Sequence, residues 1–269
     1  MPITLSTNPA QTTARRALEH ANRDLTSSLK RLSTGNRIAN IYDDAGGEAV
    51  QLKLKSQSAR YSVLQNNLLN GVSFLQVQEG VLTTATEVAS RLGELVAMAE
   101  DPSKSSDDIA NYEQESTQLG TLLTQLASQQ FNGKSLFGSG QTINVNLNST
   151  PDTMNVGNED FSNAVSNLTT DAADLSSSGL TASKVETDIQ ELANLRAQVG
   201  AKQSTLNYYY DNASLTQSNI DAARGRITDV DIASEASAYA ISQVKSQAAA
   251  AMLSQANNVG TQNLMQLLM

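Results

Sequence analysis

Few residues in this sequence could carry chemistry, and they do not converge. His20 is the single histidine, and it stands beside Glu19 on a charged segment. Metal ligation needs several converging donors, and a general base needs a reacting proton within reach. A lone imidazole in a chain with no cysteine supplies neither. His20 reads as a solvated or interface residue. Asp229, Asp231 and Glu235 place carboxylates at the spacing that opens a calcium loop, but the pattern fails at Ala233, where another oxygen ligand is required. Helix capping accounts for them better. The phosphate-cradling G-x-x-x-x-G-K, the zinc-binding H-E-x-x-H and the G-x-S-x-G nucleophile turn do not occur. The sequence therefore points away from an enzyme and asks for no metal and no cofactor.

Composition leads the same way. In 269 residues there are four Phe, seven Tyr and no Trp, and only 17% are charged against a usual ~25%. The apolar share of 39% is carried largely by Leu, Ala, Val and Ile, with Asn, Gln, Ser and Thr filling much of the rest. The absence of Cys excludes a disulfide framework and a thiolate site, and it says nothing about compartment. A net charge of −9 and an isoelectric point near 4.6 argue against nucleic acid as the main partner, since phosphate binding needs clustered Lys and Arg. No run approaches the roughly 18 consecutive apolar residues of a membrane-spanning helix, so no membrane insertion is expected. The opening Met1-Pro2-Ile3-Thr4-Leu5-Ser6 lacks the basic-then-apolar plan of a secretory signal peptide.

The elements that would position any functional surface are helical. From Ala14, apolar residues recur at helical spacing through Leu18, Ala21, Leu25, Leu29 and Leu32, until Gly35 and Asn36 interrupt them. Residues 40–47 read as a loop, with Asp44 placed to cap the next helix. That helix is very long and runs to Glu100 on Leu54, Leu64, Leu68, Leu75, Leu82, Leu92 and Val96. Asp101-Pro102-Ser103 stops it, because proline cannot continue the ladder. At ~1.5 Å per residue it would reach roughly 80 Å, which predicts a rod rather than a globule. Ser105-x-x-Asp108 opens a third helix with a capping box, and Phe131-Asn132-Gly133 ends it.

Val185, Leu192, Val199, Leu206, Ala213, Ile220 and Ile227 then fall seven residues apart, a sustained heptad seam with Ser183 and Glu186 as its capping box. The intervening seam positions, among them Arg196, Gln203 and Gln217, are largely polar, so hydrogen bonds and charge are expected to help set the register. Between the helical parts, residues 141–148 alternate with period two and predict a strand. Residues 149–152 read as a turn, and residues 153–156 as the returning strand. Residues 158–183 are polar, with a short apolar pattern at Phe161, Val165 and Leu168, and predict an exposed connection with room for one short helix. The fold expected is mainly α: a long antiparallel helical bundle or coiled-coil rod with one small β-hairpin, its terminal helices pairing as an inner coiled coil.

The two ends carry opposite charge. Residues 1–40 hold Arg15, Arg16, Arg23, Lys30, Arg31 and Arg37 against Glu19 and Asp24, a balance of +4; residues 228–269 hold Lys245 against Asp229, Asp231 and Glu235, a balance of −2. Such termini are suited to docking on each other, although exposed pairs add little in water. The run Leu264-Met265-Gln266-Leu267-Leu268-Met269 is strongly apolar. Chain ends usually fray, so these leucines are expected to be ordered where an assembly covers them. The run Ala248-Ala249-Ala250-Ala251 either lets another helix approach closely or merely favours helix.

Together these segments resemble a family. Arg31-Leu32-Ser33-Thr34-Gly35-Asn36-Arg37-Ile38 followed by Asp43-Asp44-Ala45-Gly46-Gly47 resembles the N-terminal signature of bacterial flagellins. Phe131-Asn132-Gly133-Lys134-Ser135-Leu136 resembles their turn from helix into hairpin. Ala223-Arg224-Gly225-Arg226-Ile227-Thr228-Asp229-Val230-Asp231-Ile232-Ala233-Ser234-Glu235 resembles their C-terminal block, and Leu253-Ser254-Gln255-Ala256-Asn257 with Leu264 and Leu267-Leu268 their terminal tail. The likeness covers residues 1–140 and 183–269 in the family's order, with Gly46 and Glu48 standing where the family usually has Ala and Leu.

The resemblance implies a structural subunit that polymerises into the helical filament of the bacterial flagellum, the propeller of swimming motility. It implies secretion through the flagellar type III export channel to the extracellular flagellum. Residues 1–42 and 228–269 would form an inner-tube domain. Residues 43–182 would be the first part of a rod domain, with its hairpin at about 141–157 and a short connection at 158–182, and residues 183–227 the returning rod helix. The interval from Asn158 to Ser183 leaves no room for large variable outer domains, so the form is a minimal one. Leu18, Leu25, Leu29, Leu32, Leu253, Leu264, Leu267 and Leu268 would pack the filament core, and the heptad residues Val185 to Ile227 the rod seam. The implied partners are further copies of the chain, the export machinery and a chaperone, and junction and cap proteins. A host Toll-like flagellin receptor would meet Arg91, Glu94, Leu95 and Glu115, the first three lying nearer the outer faces if Leu92 and Val96 are seam residues. The alternative within the superfamily is a hook–filament junction protein, and Asp43-Asp44-Ala45-Gly46 with Leu253-Ser254-Gln255-Ala256-Asn257 favour flagellin. A helical adaptor that does not polymerise is the alternative from another class.

Such a function needs no reacting group. An asymmetric contact repeated head to tail, with a rotation that does not close, builds a helical filament. Ordering the termini of a single subunit costs about 1–2 kcal/mol per residue, and neighbours that cover their leucines offset that cost, coupling folding to assembly. Removing residues 1–30 or 240–269 is expected to abolish filaments in a sedimentation assay while the long helices keep their circular dichroism. A truncated chain that still pellets as filaments contradicts the reading.

Overall fold

The structure, a computed structural model, describes residues 9–138, 143–148, 152–157, 159–175 and 179–268, with side chains 260 and 263–268 left aside. The elements are α1 (Pro9–Thr34), α2 (Ala45–Ala99), α3 (Ser106–Ala127), β1 (Gln130–Phe131), β2 (Lys134–Ser135), β3 (Asn144–Asn146), β4 (Thr153–Asn155), α4 (Phe161–Ala164), α5 (Ser166–Thr170), α6 (Ala182–Thr228) and α7 (Ile232–Leu268). The chain divides into two compact units, residues 58–218 and residues 1–57 with 219–269, and α2 and α6 each contribute to both.

In the unit of residues 58–218, α2 and α6 run antiparallel. Gln65 Nε2 donates to Gln217 Oε1 at 2.6 Å, the Arg196 guanidinium grips Glu79 Oε1 at 2.7 and 3.0 Å, and Val185 lies against Gly93. Positions rise along one helix as they fall along the other. The seam residues Val185, Leu192, Val199, Leu206 and Ala213 are buried as the heptad spacing predicts, and the polar seam positions Arg196 and Gln217 help fix the register. From α2, Leu68, Leu75, Leu82, Leu92 and Leu95 are fully buried in the same cluster, joined by Leu123 of α3. Each leucine so buried contributes about 1.5–3 kcal/mol relative to exposure. The capping box that opens α3 is formed: Ser105 Oγ accepts from the Asp108 N–H and the Ser105 N–H donates to Asp108 Oδ2. Hydrogen bonds from the Ser105 side chain and backbone hold the Asp108 carboxyl below its ordinary range.

The start of α6 differs from the sequence expectation. The Thr181 carbonyl accepts from the N–H groups of Lys184 and Val185 at 3.0 and 3.1 Å, which puts Ser183 inside the first turn rather than at the cap. Burial of Leu180 and Val185 on either side of that turn fixes the earlier start.

The connection before α6 is also a correction, because its described apolar residues are buried rather than exposed. Phe161, Val165, Leu168, Ala172, Leu175 and Leu180 are all buried, and the segment forms two short helices, α4 and α5, instead of one. Phe161 lies against Phe137 with ring centroids 4.9 Å apart. Two buried carboxylates anchor it. Asp188 of α6 accepts from the Leu168 N–H at 3.0 Å and from Asn167 Nδ2 at 2.6 Å, and Glu159 pairs with Lys202. Burial pushes the Asp188 carboxyl up, and those two donors pull it back. Unpaired carboxylates would not survive there.

The expected hairpin is present as β3 and β4, antiparallel, with Asn144 opposite Asn155, Val145 opposite Met154 and Asn146 opposite Thr153. Residues 141–142 and 149–151 of the predicted strand and turn lie outside the described residues. Val145 seats the hairpin on α2 at Gly71, where a Cβ would come within 2.9 Å of Val145 Cγ2. The structure adds a second, smaller hairpin, β1 with β2, closed by Asn132 and Gly133 at φ 51° and 75°. Those angles make a type I′ turn, the turn that Asn-Gly favours.

Gly120 of α3 lies close against the connection that follows α5. A Cβ there would lie 2.7 Å from Ala172 Cβ and 3.2 Å from the Leu168 carbonyl oxygen, whereas Gly80 of α2 has open space around it. Gly120→Ala is expected to destabilise by about 1–3 kcal/mol from overpacking, beyond any gain in helix propensity. Gly80→Ala should stabilise by about 1 kcal/mol. Urea midpoints that move the two variants in the same direction would contradict this packing.

Candidate assembly surface

In the unit of residues 1–57 with 219–269, α1 and α7 pair antiparallel. Ser246 Oγ donates to Asn22 Oδ1 at 2.8 Å, Arg31 and Glu235 approach to 3.8 Å, and Asn36 bridges to Asp229. Among the described residues the opposite charges at the two ends meet in one ion pair, Arg31 with Glu235, while most of the pairing is helix against helix. Gly35, at φ 72°, ends α1 with its N–H on the Arg31 carbonyl, as a glycine past a helix end commonly does.

Arg37 then clamps the next joint. Its backbone N–H donates to the Thr228 carbonyl at 2.6 Å, its guanidinium donates to the Ile227 carbonyl at 2.9 and 3.2 Å, and it pairs with Asp44 at 3.4 Å. The last carbonyls of α6 have no partner within the helix, and a cation at that negative end is favourable. Asp44 Oδ1 in turn accepts from the Gly47 N–H at 2.7 Å and caps α2, and Asp231 Oδ1 accepts from the N–H groups of Ala233 and Ser234 and caps α7. Asp229, Asp231 and Glu235 therefore serve a bridge, a cap and an ion pair. Among the described residues no three acidic, His or Cys side chains gather where a metal could sit. His20 is exposed, with Nδ1 3.2 Å from Arg23 Nη2.

What the pair leaves uncovered defines the candidate surface. The residues buried between the helices are small: Ala21, Ser28, Ser242 and Ala249. In the run Ala248 to Ala251 only Ala249 is buried. Meanwhile Ile241, Val244 and Met252 of α7 are 55%, 66% and 67% exposed, and Leu29 of α1 is 52% exposed. With Ala248 and Val259, those α7 residues follow the helical period and fall on one stripe, turned away from the face that carries Ser242 and Ala249. Ala240, Ile241, Val244 and Lys245 border a shallow depression of about 300 Å³ on this stripe. The proposed core residues Leu18, Leu25, Leu32 and Leu253 are half-buried, and the side chains of Leu264, Leu267 and Leu268 lie outside those described. Ile220 and Ile227, the last two seam positions, are half-buried.

The surface implied for a receptor comes together only in part. Arg91 donates to Glu115 Oε1 and to Glu94 Oε2, each at 2.8 Å, and the three side chains are partly exposed. Hydrogen bonds with Glu115 and Glu94 raise the Arg91 guanidinium further above its ordinary value. Leu95 does not join them; it is fully buried. Helix α2 is covered on a broad arc in this unit, and a two-position seam underestimates how much of the helix is hidden. Arg37 was legible only as a positive charge, since its clamp spans 190 residues and leaves no local signal.

A mainly helical chain whose described residues bring no metal-binding cluster together, and whose paired end helices keep a second apolar stripe open, is a subunit built to associate. Comparison with known proteins gives the family. Residues 5–142 match the bacterial flagellin N-terminal helical region, and residues 182–268 match the bacterial flagellin C-terminal helical region. Flagellin FlaB2 of Treponema pallidum is 30% identical, over 95% of this chain and 96% of its own. The flagellin of Bacillus subtilis is 29% identical, over 90% of this chain and 91% of its own. A crystal structure of Bacillus cereus flagellin, 22% identical, aligns with a TM-score of 0.48 over 55% of this chain and 88% of that one. The chain belongs to the bacterial flagellins.

Arg37→Ala removes both guanidinium bonds to the Ile227 carbonyl and keeps the backbone bond to Thr228, and it is expected to cost about 1 kcal/mol because the side chain is half exposed. Hydrogen exchange at the Val230 amide, which donates to the Gly35 carbonyl across the same joint, should quicken. Unchanged exchange there would show that Arg37 does not hold the joint.

Proposed function

We propose that this chain is the structural subunit of an extracellular flagellar filament and that its working state is a polymer of copies of itself. The observation that carries the reading is the open apolar stripe of α7, Ile241, Val244, Ala248, Met252 and Val259, on a helix whose other face is already taken by α1. Covering one large aliphatic side chain contributes about 1.5–3 kcal/mol, while association costs about 4–15 kcal/mol in lost freedom. A single neighbour covering part of one stripe gains little; several neighbours around one subunit gain enough. Growth on a filament end is thereby favoured over pairing in solution.

In this reading residues 1–42 and 228–269 form the inner tube, where Leu18, Leu25, Leu29, Leu32, Leu253, Leu264, Leu267 and Leu268 pack against other copies. Residues 43–182 and 183–227 form the surrounding rod. Export through the flagellar channel, with its chaperone and the junction and cap proteins, follows from the family. Among the described residues no helix is long and apolar enough to cross a membrane. The Arg91, Glu94 and Glu115 cluster is the part of the receptor surface available on this chain; Leu95 would act there only by supporting α2 from within. The family is one of structural proteins, and filament formation requires no catalytic step.

Val244→Glu separates assembly from folding. At a position 66% exposed in the single chain, the change should move stability by no more than about 0.5 kcal/mol. In a filament it would bury an unpaired carboxylate, so elongation from preformed seeds, followed by sedimentation, should be lost while circular dichroism and thermal midpoint stay put. Seeded growth at the parental rate would exclude this stripe from the interface.

A further inference from the structure

Asn-Gly occurs twice in the sequence, at Asn70-Gly71 and at Asn132-Gly133. The pairing matters chemically because glycine has no Cβ to shield its backbone nitrogen, which can attack the preceding side-chain amide. The two sites differ in everything but sequence. Asn70 and Gly71 lie inside α2, where the Gly71 N–H belongs to the helix ladder, and Gly71 is buried against Val145 and Leu206. Asn132 and Gly133 form the two-residue turn between β1 and β2, and both are exposed. Phe131 pairs with Lys134, and the Leu136 N–H donates to the Gln129 carbonyl, so the ladder bonds fall outside the two turn residues. A Cβ built at Gly133 meets no heavy atom within 4 Å, so the turn is open on the side of the Gly133 α-carbon. Among the described residues the Asn132 amide has no hydrogen-bond partner.

We propose that Asn132 is a site of spontaneous covalent modification, its side-chain amide being lost through a succinimide to leave aspartate and isoaspartate. The Gly133 nitrogen loses its proton to hydroxide and attacks Asn132 Cγ. The N–Cγ bond forms, the Cγ–Nδ2 bond breaks, and the side-chain nitrogen departs as ammonia. Water then opens the ring. Attack at Cγ gives aspartate, and attack at the backbone carbonyl carbon gives isoaspartate, in which the main chain runs through Cβ and Cγ. No electrons are transferred, and the co-reactant is water.

The product changes the fold locally. A type I′ turn requires two α-linked residues at positive φ, and isoaspartate lengthens the main chain inside it. The pairing of Phe131 with Lys134 loses its register, and with it the edge contact of Phe131 on Phe74, whose centroids are 6.1 Å apart. Either product also places a new carboxylate two residues from Lys134. The exposed hairpin thus ages while the same dipeptide inside α2 persists.

The test is peptide mapping by mass spectrometry of the purified full chain after incubation in mildly alkaline buffer, with isoaspartate scored by enzymatic methylation. One arm keeps the chain folded, and the other adds denaturant. In the folded arm Asn132 should convert at a rate proportional to hydroxide. Asn70 should lag by at least about a hundredfold, because it reacts only when α2 opens. In denaturant the two sites should react at comparable rates. A folded chain in which Asn132 stays amidated while both sites convert in denaturant overturns the proposal, as does a folded chain in which the two convert equally.

Discussion

A helix with apolar residues on two faces cannot be satisfied by one partner. The α7 face carrying Ser242 and Ala249 meets α1 through small residues, and its stripe of Ile241, Val244 and Met252 is more than half exposed in the single chain. The small residues at the α1 contact let the helices approach closely, and they also bury little apolar area. The large residues that would make a strong core point outward instead. This inversion of an ordinary two-helix pair is what ties the terminal unit to assembly. A chain that folded its ends to completion would have no affinity left for a filament.

The unit of residues 58–218 has the opposite character. Leu68, Leu75, Leu82, Leu92, Leu123, Leu168, Leu192 and Leu206 are fully buried within it, and its polar anchors are paired: Arg196 with Glu79, Lys202 with Glu159, Asp188 with Asn167 and the Leu168 N–H. The joint of residues 35–47 belongs to the terminal unit and is built mainly from backbone hydrogen bonds and caps around the buried Ile38. Such bonds hold geometry without needing a large core, which suits the turn between a helix that must stay adaptable and one that must be straight.

Much of this was legible because helices announce themselves by period. The α6 seam, the proline stop after α2, the Ser105 capping box and the Asp44 cap all rest on local spacing and local hydrogen bonds, and each lies where the pattern put it. What escaped depends on distant partners. The segment 159–175 looked exposed because Ser, Thr, Asn and Asp dominate it, yet Phe161, Val165 and Leu168 turn inward onto a surface made by other elements. Leu95 looked available because a heptad gives two inward positions per repeat, whereas α2 is covered by more than one helix. Arg37 bonds to carbonyls far along the chain. The Asn132 turn was read as the end of α3 and the way into the hairpin, whereas Asn-Gly between short extended pieces closes a hairpin of its own.

The low charge content gains its meaning from the hydroxyl groups. Thr83, Thr117, Thr121, Thr124 and Ser237 each donate to the carbonyl four residues earlier in their own helix. A hydroxyl bonded in this way brings its own acceptor when water is removed, so drying the helix face strands fewer donors. A lysine or glutamate at the same position would have to find a partner on the neighbour or bear a desolvation cost of several kcal/mol. A helix surface made of Ser, Thr, Asn, Gln and Ala can therefore be wetted in a single subunit and covered in a polymer with modest penalty in either state. That tolerance is what a chain must have if it is exported alone and works only in company.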